Sequence, residues 1–182
     1  MTLDKLLAEF YKRNGIPENG GINEDTFEIK VLGMILTLPN PRFRKDVTHI
    51  HDIAHILNKQ NTTWKGEAFI AGWEISTGFW KYFPICTFSL WAMGYSFWFQ
   101  HKAVFLGFKK GLNVIGIIDL KISKPKLIKT EYSQLIKITT KEKTIKMGIV
   151  EWIQFLFWLL ISQIIFLFPF ILIIWGIIWL KK

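Results

Sequence analysis

Residues 152–180 read WIQFLFWLLISQIIFLFPFILIIWGIIWL, a run without a single charged side chain. At about 1.5 Å per residue a continuous helix over this run is roughly 44 Å long, against a hydrocarbon core of about 30 Å. It is long enough to span a bilayer with tilt. Pro169 divides the run into 152–168 and 170–180, and the second piece is too short to cross alone, which favours one kinked span. Two other arrangements remain open: a hairpin dipping into one leaflet, because lysines flank both ends, and a buried helix of a soluble core.

The charge distribution points the same way. Residues 101–182 hold 13 of the 23 basic side chains and 4 of the 14 acidic ones, so the whole net charge of +9 is C-terminal. All 13 are lysines, from Lys102 to Lys182. Nucleic-acid binders recruit arginine for bidentate contacts, whereas a lysine-rich run beside an apolar segment fits attraction to anionic lipid. The partner expected is therefore a membrane and not nucleic acid. Lys137, Lys141, Lys143 and Lys146 upstream outweigh Lys181 and Lys182, which by the positive-inside rule puts the N-terminal domain on the cytoplasmic face. A single cysteine, Cys86, excludes an internal disulfide and fits a reducing compartment. The N-terminal stretch, Met1 to Phe10, carries charges among its apolar residues and lacks a signal-peptide core.

Ahead of the apolar run the pattern is mainly helical. Leu3, Leu6, Leu7 and Phe10 predict an amphipathic helix over Thr2–Arg13, followed by turn chemistry in Gly15, Pro17, Asn19, Gly20 and Gly21. The β-branched stretch 26–38 around Gly33 predicts a small hairpin or a helix. Asn40-Pro41 predicts a capped helix start running to about Lys59. Asn61, Thr62 and Thr63 offer caps for a helix over Trp64 to about Tyr82. Residues 82–99 carry no charge and predict a buried or membrane-dipping helix, with a true span as the alternative. The expected organisation is a helical domain over 1–148, with a lysine-rich, membrane-proximal segment over about 101–148 and a membrane anchor over 149–182.

The chemistry sits in the helix after Pro41. At about 100° per residue, taking His51 as zero puts His55 near 40° and Asp52 near 100°, so the three fan over one face. Thr48 and Asn58 lie beside that fan, where they could hydrogen-bond the ligands, whereas His49 falls on the other side. Two imidazoles one turn apart can close on one cation, and a carboxylate neutralises charge. Glu67, which follows His55 across the Asn61–Thr63 turn, could fold back as a further ligand, with Gly66 permitting close approach. Glu74, two turns further along the same face, is a carboxylate amid Ile70, Ala71, Trp73 and Ile75, where it needs a partner. It is the candidate acid or base, or else an ordinary salt-bridge member.

His51-Asp52-Ile53-Ala54-His55, followed after a fixed interval by Glu67, resembles the H-D-x-x-H-x(11)-E signature of the Coq-four family, the fourth coenzyme-Q biosynthesis proteins. The likeness continues through Gly66, Trp73-Glu74 and Thr77-Gly78 and covers about Arg44 to Phe108, whereas the stretch before Asn40 and the C-terminal ending are unlike that family. The resemblance implies a mostly helical fold and a divalent metal, usually zinc, on His51, Asp52, His55 and Glu67. It also implies action on a prenylated quinone precursor at a membrane surface, by oxidative decarboxylation at the ring carbon that carries the acid group. Other quinone-biosynthesis enzymes are then expected partners, and Phe79, Trp80, Phe83, Phe88 and Trp91 could line the isoprenoid tail or else be core or membrane-interface anchors. Two alternatives belong to other classes: a non-catalytic prenyl-lipid-binding scaffold, and a membrane metalloprotease, since H-D-x-x-H looks like H-E-x-x-H with a shorter acid.

Overall fold

A computed structural model describes residues 1–31 and 33–181, together with all their side chains but that of Ile174. Lys182, one of the two lysines at the C-terminal flank, lies outside the described residues. The chain is mainly α-helical with one antiparallel hairpin near its N-terminus. It divides into two compact units: Met1–Lys59 with Ile117–Ile138, and Gln60–Gly116 with Thr139–Lys182.

The first unit is built on α1 (Leu3–Asn14), which ends as its turn chemistry demands: Gly15 takes a left-handed conformation, φ 65°, and its N–H caps Tyr11 O. Leu3, Leu7 and Phe10 of the predicted stripe are buried and Leu6 is half-buried, while Tyr11, outside that stripe, is buried as well. The hairpin joins β1 (Thr26–Val31) to β2 (Met34–Pro39), with Thr26 opposite Pro39 and Val31 opposite Met34. The helix expected from Pro41 to Lys59 is instead two helices, α2 (Arg42–Lys45) and α3 (Thr48–Asn58). Asn40 does not cap the first of these, because Pro41 is the extended residue before it. The Asn40 side chain is used otherwise: its amide donates to Gly21 O and Glu24 O, and its Oδ1 accepts from Arg44 Nη1. Asn40 thus ties the segment before the hairpin to α2. Two short helices, α6 (Lys124–Ile128) and α7 (Tyr132–Thr139), follow later in the chain. The loop between them receives the N-terminus, with Leu3 N–H donating to Thr130 O and Tyr132 N–H to Met1 O.

The second unit contains α4 (Trp64–Ser76), α5 (Cys86–Gly111) and α8 (Ile149–Leu180). α4 ends earlier than its apolar pattern suggests, because Gly78 turns left-handed at φ 96° and a 3-10 turn covers Phe79–Lys81. α5 runs further than the uncharged stretch, and Gln100, at φ −133° and ψ 32°, breaks it into two arms. Both arms pack on α4. On the second arm the backbones approach so closely that side chains are excluded: a Cβ on Gly107 would lie 1.9 Å from Phe69 O, and one on Gly72 would lie 2.2 Å from Val104 O. The core between them holds Ala68, Ala71, Ile75, Met93, Val104 and Phe108.

α8 is one continuous helix with Pro169 inside it. It is long and apolar enough to cross a membrane, and almost none of its most apolar stretch is buried. It packs on α5: Phe155 lies against Phe105 and Phe108 of the second arm, and Phe166 against Trp91 and Tyr95 of the first. Lys141, counted among the membrane-proximal lysines, donates from Nζ to Leu112 O and so ties the connector before α8 to the end of α5.

Candidate metal centre

α3 brings His51 and His55 together as the one-turn spacing requires. Their Nε2 atoms are 3.2 Å apart, and the rings meet edge to face with centroids at 4.8 Å. Two nitrogens each about 2.05 Å from a tetrahedral ion lie about 3.3 Å from one another, so the pair already has the separation of two ligands on one ion. A hydrogen bond between two neutral imidazoles has the same length. His55 is buried and its ring lies 5.6 Å from that of Phe10, which fixes its position from α1, whereas His51 is half-buried.

Asp52 is buried in the same unit. Its Oδ2 accepts the hydroxyl proton of Tyr11 at 2.9 Å. Burial, reinforced by the Asp52 carboxylate, pushes the Tyr11 phenol far above its ordinary range, so it remains a donor at neutral pH. Gly20 lies over this pair: at φ 73° it accepts no side chain, and a Cβ there would stand 2.8 Å from Tyr11 Oη. Tyr11 and Phe10 are the contributions that spacing around α3 does not reveal, since both lie on α1, across the hairpin in the chain. Their only signal is the apolar stripe that makes α1 a packing element. Tyr11→Phe is expected to cost about 2 kcal/mol, the value of a hydrogen bond to a charged group, which urea unfolding against wild type would measure.

The polar residues flanking the pair are tied to backbone. Thr48 Oγ1 donates to Arg44 O and Asn58 Nδ2 donates to Ala54 O. His49 is buried, as its different direction on α3 suggests, and Lys124 and Asp46 are the charges that act on it. Burial pushes its imidazole down to about 4, with Lys124 acting in the same direction and Asp46 against it. The unfolded chain takes up that proton near pH 6.5, and the folded protein resists it. Stability should therefore be flat above about pH 6.5 and fall towards pH 4, by roughly 3 kcal/mol for this group. Denaturant titrations of the metal-free protein at pH 7 and 4.5 would show the drop, reduced in His49→Leu.

Glu67 lies half-buried on the first turn of α4, in the second unit. The neighbouring Gly66 permits a close approach, but to the preceding connector and not to a helix: a Cβ on it would stand 1.9 Å from Asn61 O. Glu74 lies deeper in the same helix, where it is buried and its Oε2 accepts from Ser89 Oγ at 2.6 Å. It joins α4 to the first arm of α5.

No protein-family model, curated protein or solved structure matches this chain.

Proposed function

We propose that this chain is a membrane-anchored protein that holds a divalent ion on His51, His55 and Glu67 and acts on the ring of a prenylated quinone precursor. The observation that carries the metal centre is the 3.2 Å separation of the two Nε2 atoms, with His51, His55 and Glu67 forming a donor set that could hold an ion. Two imidazoles and a carboxylate suit zinc, and three protein ligands leave a position for substrate or water. Asp52, the fourth ligand that the resemblance implies, adds negative charge to the centre and is oriented by Tyr11.

The ion would supply Lewis-acid polarisation of an acid or phenol oxygen on the substrate ring. In this reading Asp52 handles protons beside the substrate, and Glu74, engaged by Ser89, holds α4 to α5. The reaction assigned, on the strength of the resemblance, is oxidative decarboxylation at the ring carbon that carries the acid group: the carboxyl group leaves as carbon dioxide, a hydroxyl from water takes its place, and dioxygen, the oxidant, is reduced to hydrogen peroxide. The lysine-rich segment and α8 support a membrane location, with the N-terminal domain on the cytoplasmic face by the excess of lysines before the span.

The test is to reconstitute full-length, zinc-loaded protein in lipid nanodiscs and offer prenylated hydroxybenzoic acids in the presence of oxygen. Carbon dioxide release that is lost in His51→Ala supports the assignment. Binding of the acid without release supports a scaffold. Neither binding nor release by a metal-loaded protein contradicts the quinone reading and leaves the metal centre standing.

A further inference from the structure

The contacts of α8 carry information about α5, provided that α8 spans a bilayer as proposed above. A hydrocarbon core of about 30 Å takes about 20 helical residues, and every window of that length in the uncharged run 152–180 contains residues 161–171. Ser162, Gln163 and Phe166 are therefore inside the hydrocarbon in any register of the span.

Those residues are the ones on which the first arm of α5 packs. A Cβ on Gly94 would stand 2.4 Å from Ser162 O. Gln163 Nε2 donates to Gly94 O, and Trp98 Nε1 donates to Gln163 Oε1, both at 3.0 Å. The rings of Trp91 and Tyr95 each lie 5.8 Å from that of Phe166. The amide of Gln163 thus finds a donor and an acceptor on α5, which is what a polar side chain in hydrocarbon requires. The arm and the turn before it also expose apolar surface: Trp98 is 63% exposed, Phe99 60%, and Phe83 in that turn 82%.

We infer that the first arm of α5, with the Phe83 turn ahead of it, is immersed in the bilayer beside α8, with Phe83, Trp98 and Phe99 against acyl chains. The arm does not cross. Residues 86–99 make a helix of about 21 Å, short of the hydrocarbon thickness, and charges stand at both ends, on Lys81 before it and Lys102 after it. It enters and leaves through one leaflet, so the second unit is held by a membrane-embedded pair of elements and not by a single anchor.

The test places nitroxide labels on full-length protein in lipid vesicles, using Phe83→Cys, Phe99→Cys and, on α8, Ile173→Cys, each in a Cys86→Ala background. Glu142→Cys is the aqueous control. Collisions with oxygen, which concentrates in lipid, are compared with collisions with a polar nickel chelate. Oxygen is expected to dominate at Phe83, Phe99 and Ile173, and nickel at Glu142. Nickel dominating at Phe83 and Phe99 with oxygen at Ile173 overturns the immersion of α5 and leaves α8 as a span. Nickel dominating at all three overturns both.

Discussion

His55→Ala is expected to lower zinc affinity by about 100-fold or more, since loss of residues that merely orient ligands already costs about 10- to 100-fold. His55 is buried beside Phe10, so the substitution removes a proposed ligand that the fold already holds in place. His55→Gln separates ligation from packing, because it fills much of the space of the ring and replaces imidazole by a weaker donor. Competition with a fluorescent zinc chelator measures both. Retained affinity in the two variants would mean that the 3.2 Å approach of the imidazoles is a hydrogen bond between neutral rings, and that zinc, if bound, sits elsewhere.

The second large effect belongs to the helix pair and not to the metal. Gly107→Ala would set a methyl group 1.9 Å from Phe69 O, a backbone atom that cannot rotate away. α4 and α5 must separate, and overpacking of this kind costs about 2–3 kcal/mol. For a unit of this size that is a fall in Tm of roughly 10 °C or more. Gly176→Ala is the control, because nothing lies within 4 Å of its added Cβ and alanine improves helix propensity by up to about 1 kcal/mol. Calorimetry or thermal unfolding in mild detergent should show a drop for the first and none for the second. Equal melting temperatures would contradict the close backbone approach of the two helices.

The elements legible in the sequence are those whose signal is local and periodic. The stripe of Leu3, Leu7 and Phe10, the β-branched runs around Gly33 and the uncharged stretch of α8 each report one element, and each is present. What periodicity missed are positions where tertiary partners decide. Asn40 looks like a helix cap, yet hydrogen bonds to two turns and to Arg44 claim its side chain. Gln100 carries no mark of a helix break, and α5 bends there where both its arms pack on α4. The apolar pattern of residues 64–82 outlasts the helix it suggests, because Gly78 turns the chain first.

The site follows the same division. His51 and His55 were legible because one helical turn brings them together whatever else the chain does. Tyr11 was not, since its partner Asp52 is distant in the chain and only the packing of α1 brings them together. The carboxylates of Glu67 and Glu74 share a helix face in the sequence, but burial against Ser89 gives Glu74 a partner that the one-dimensional pattern does not contain.

The proposed metal centre is a divalent ion held by His51, His55 and Glu67. It is tested most directly by elemental mass spectrometry of full-length protein in mild detergent, after zinc loading and removal of free metal, beside His51→Ala and Glu67→Ala. About one zinc per folded chain is expected, with most of it gone in both variants. A folded wild-type chain without metal, or variants that retain a full equivalent, would contradict it.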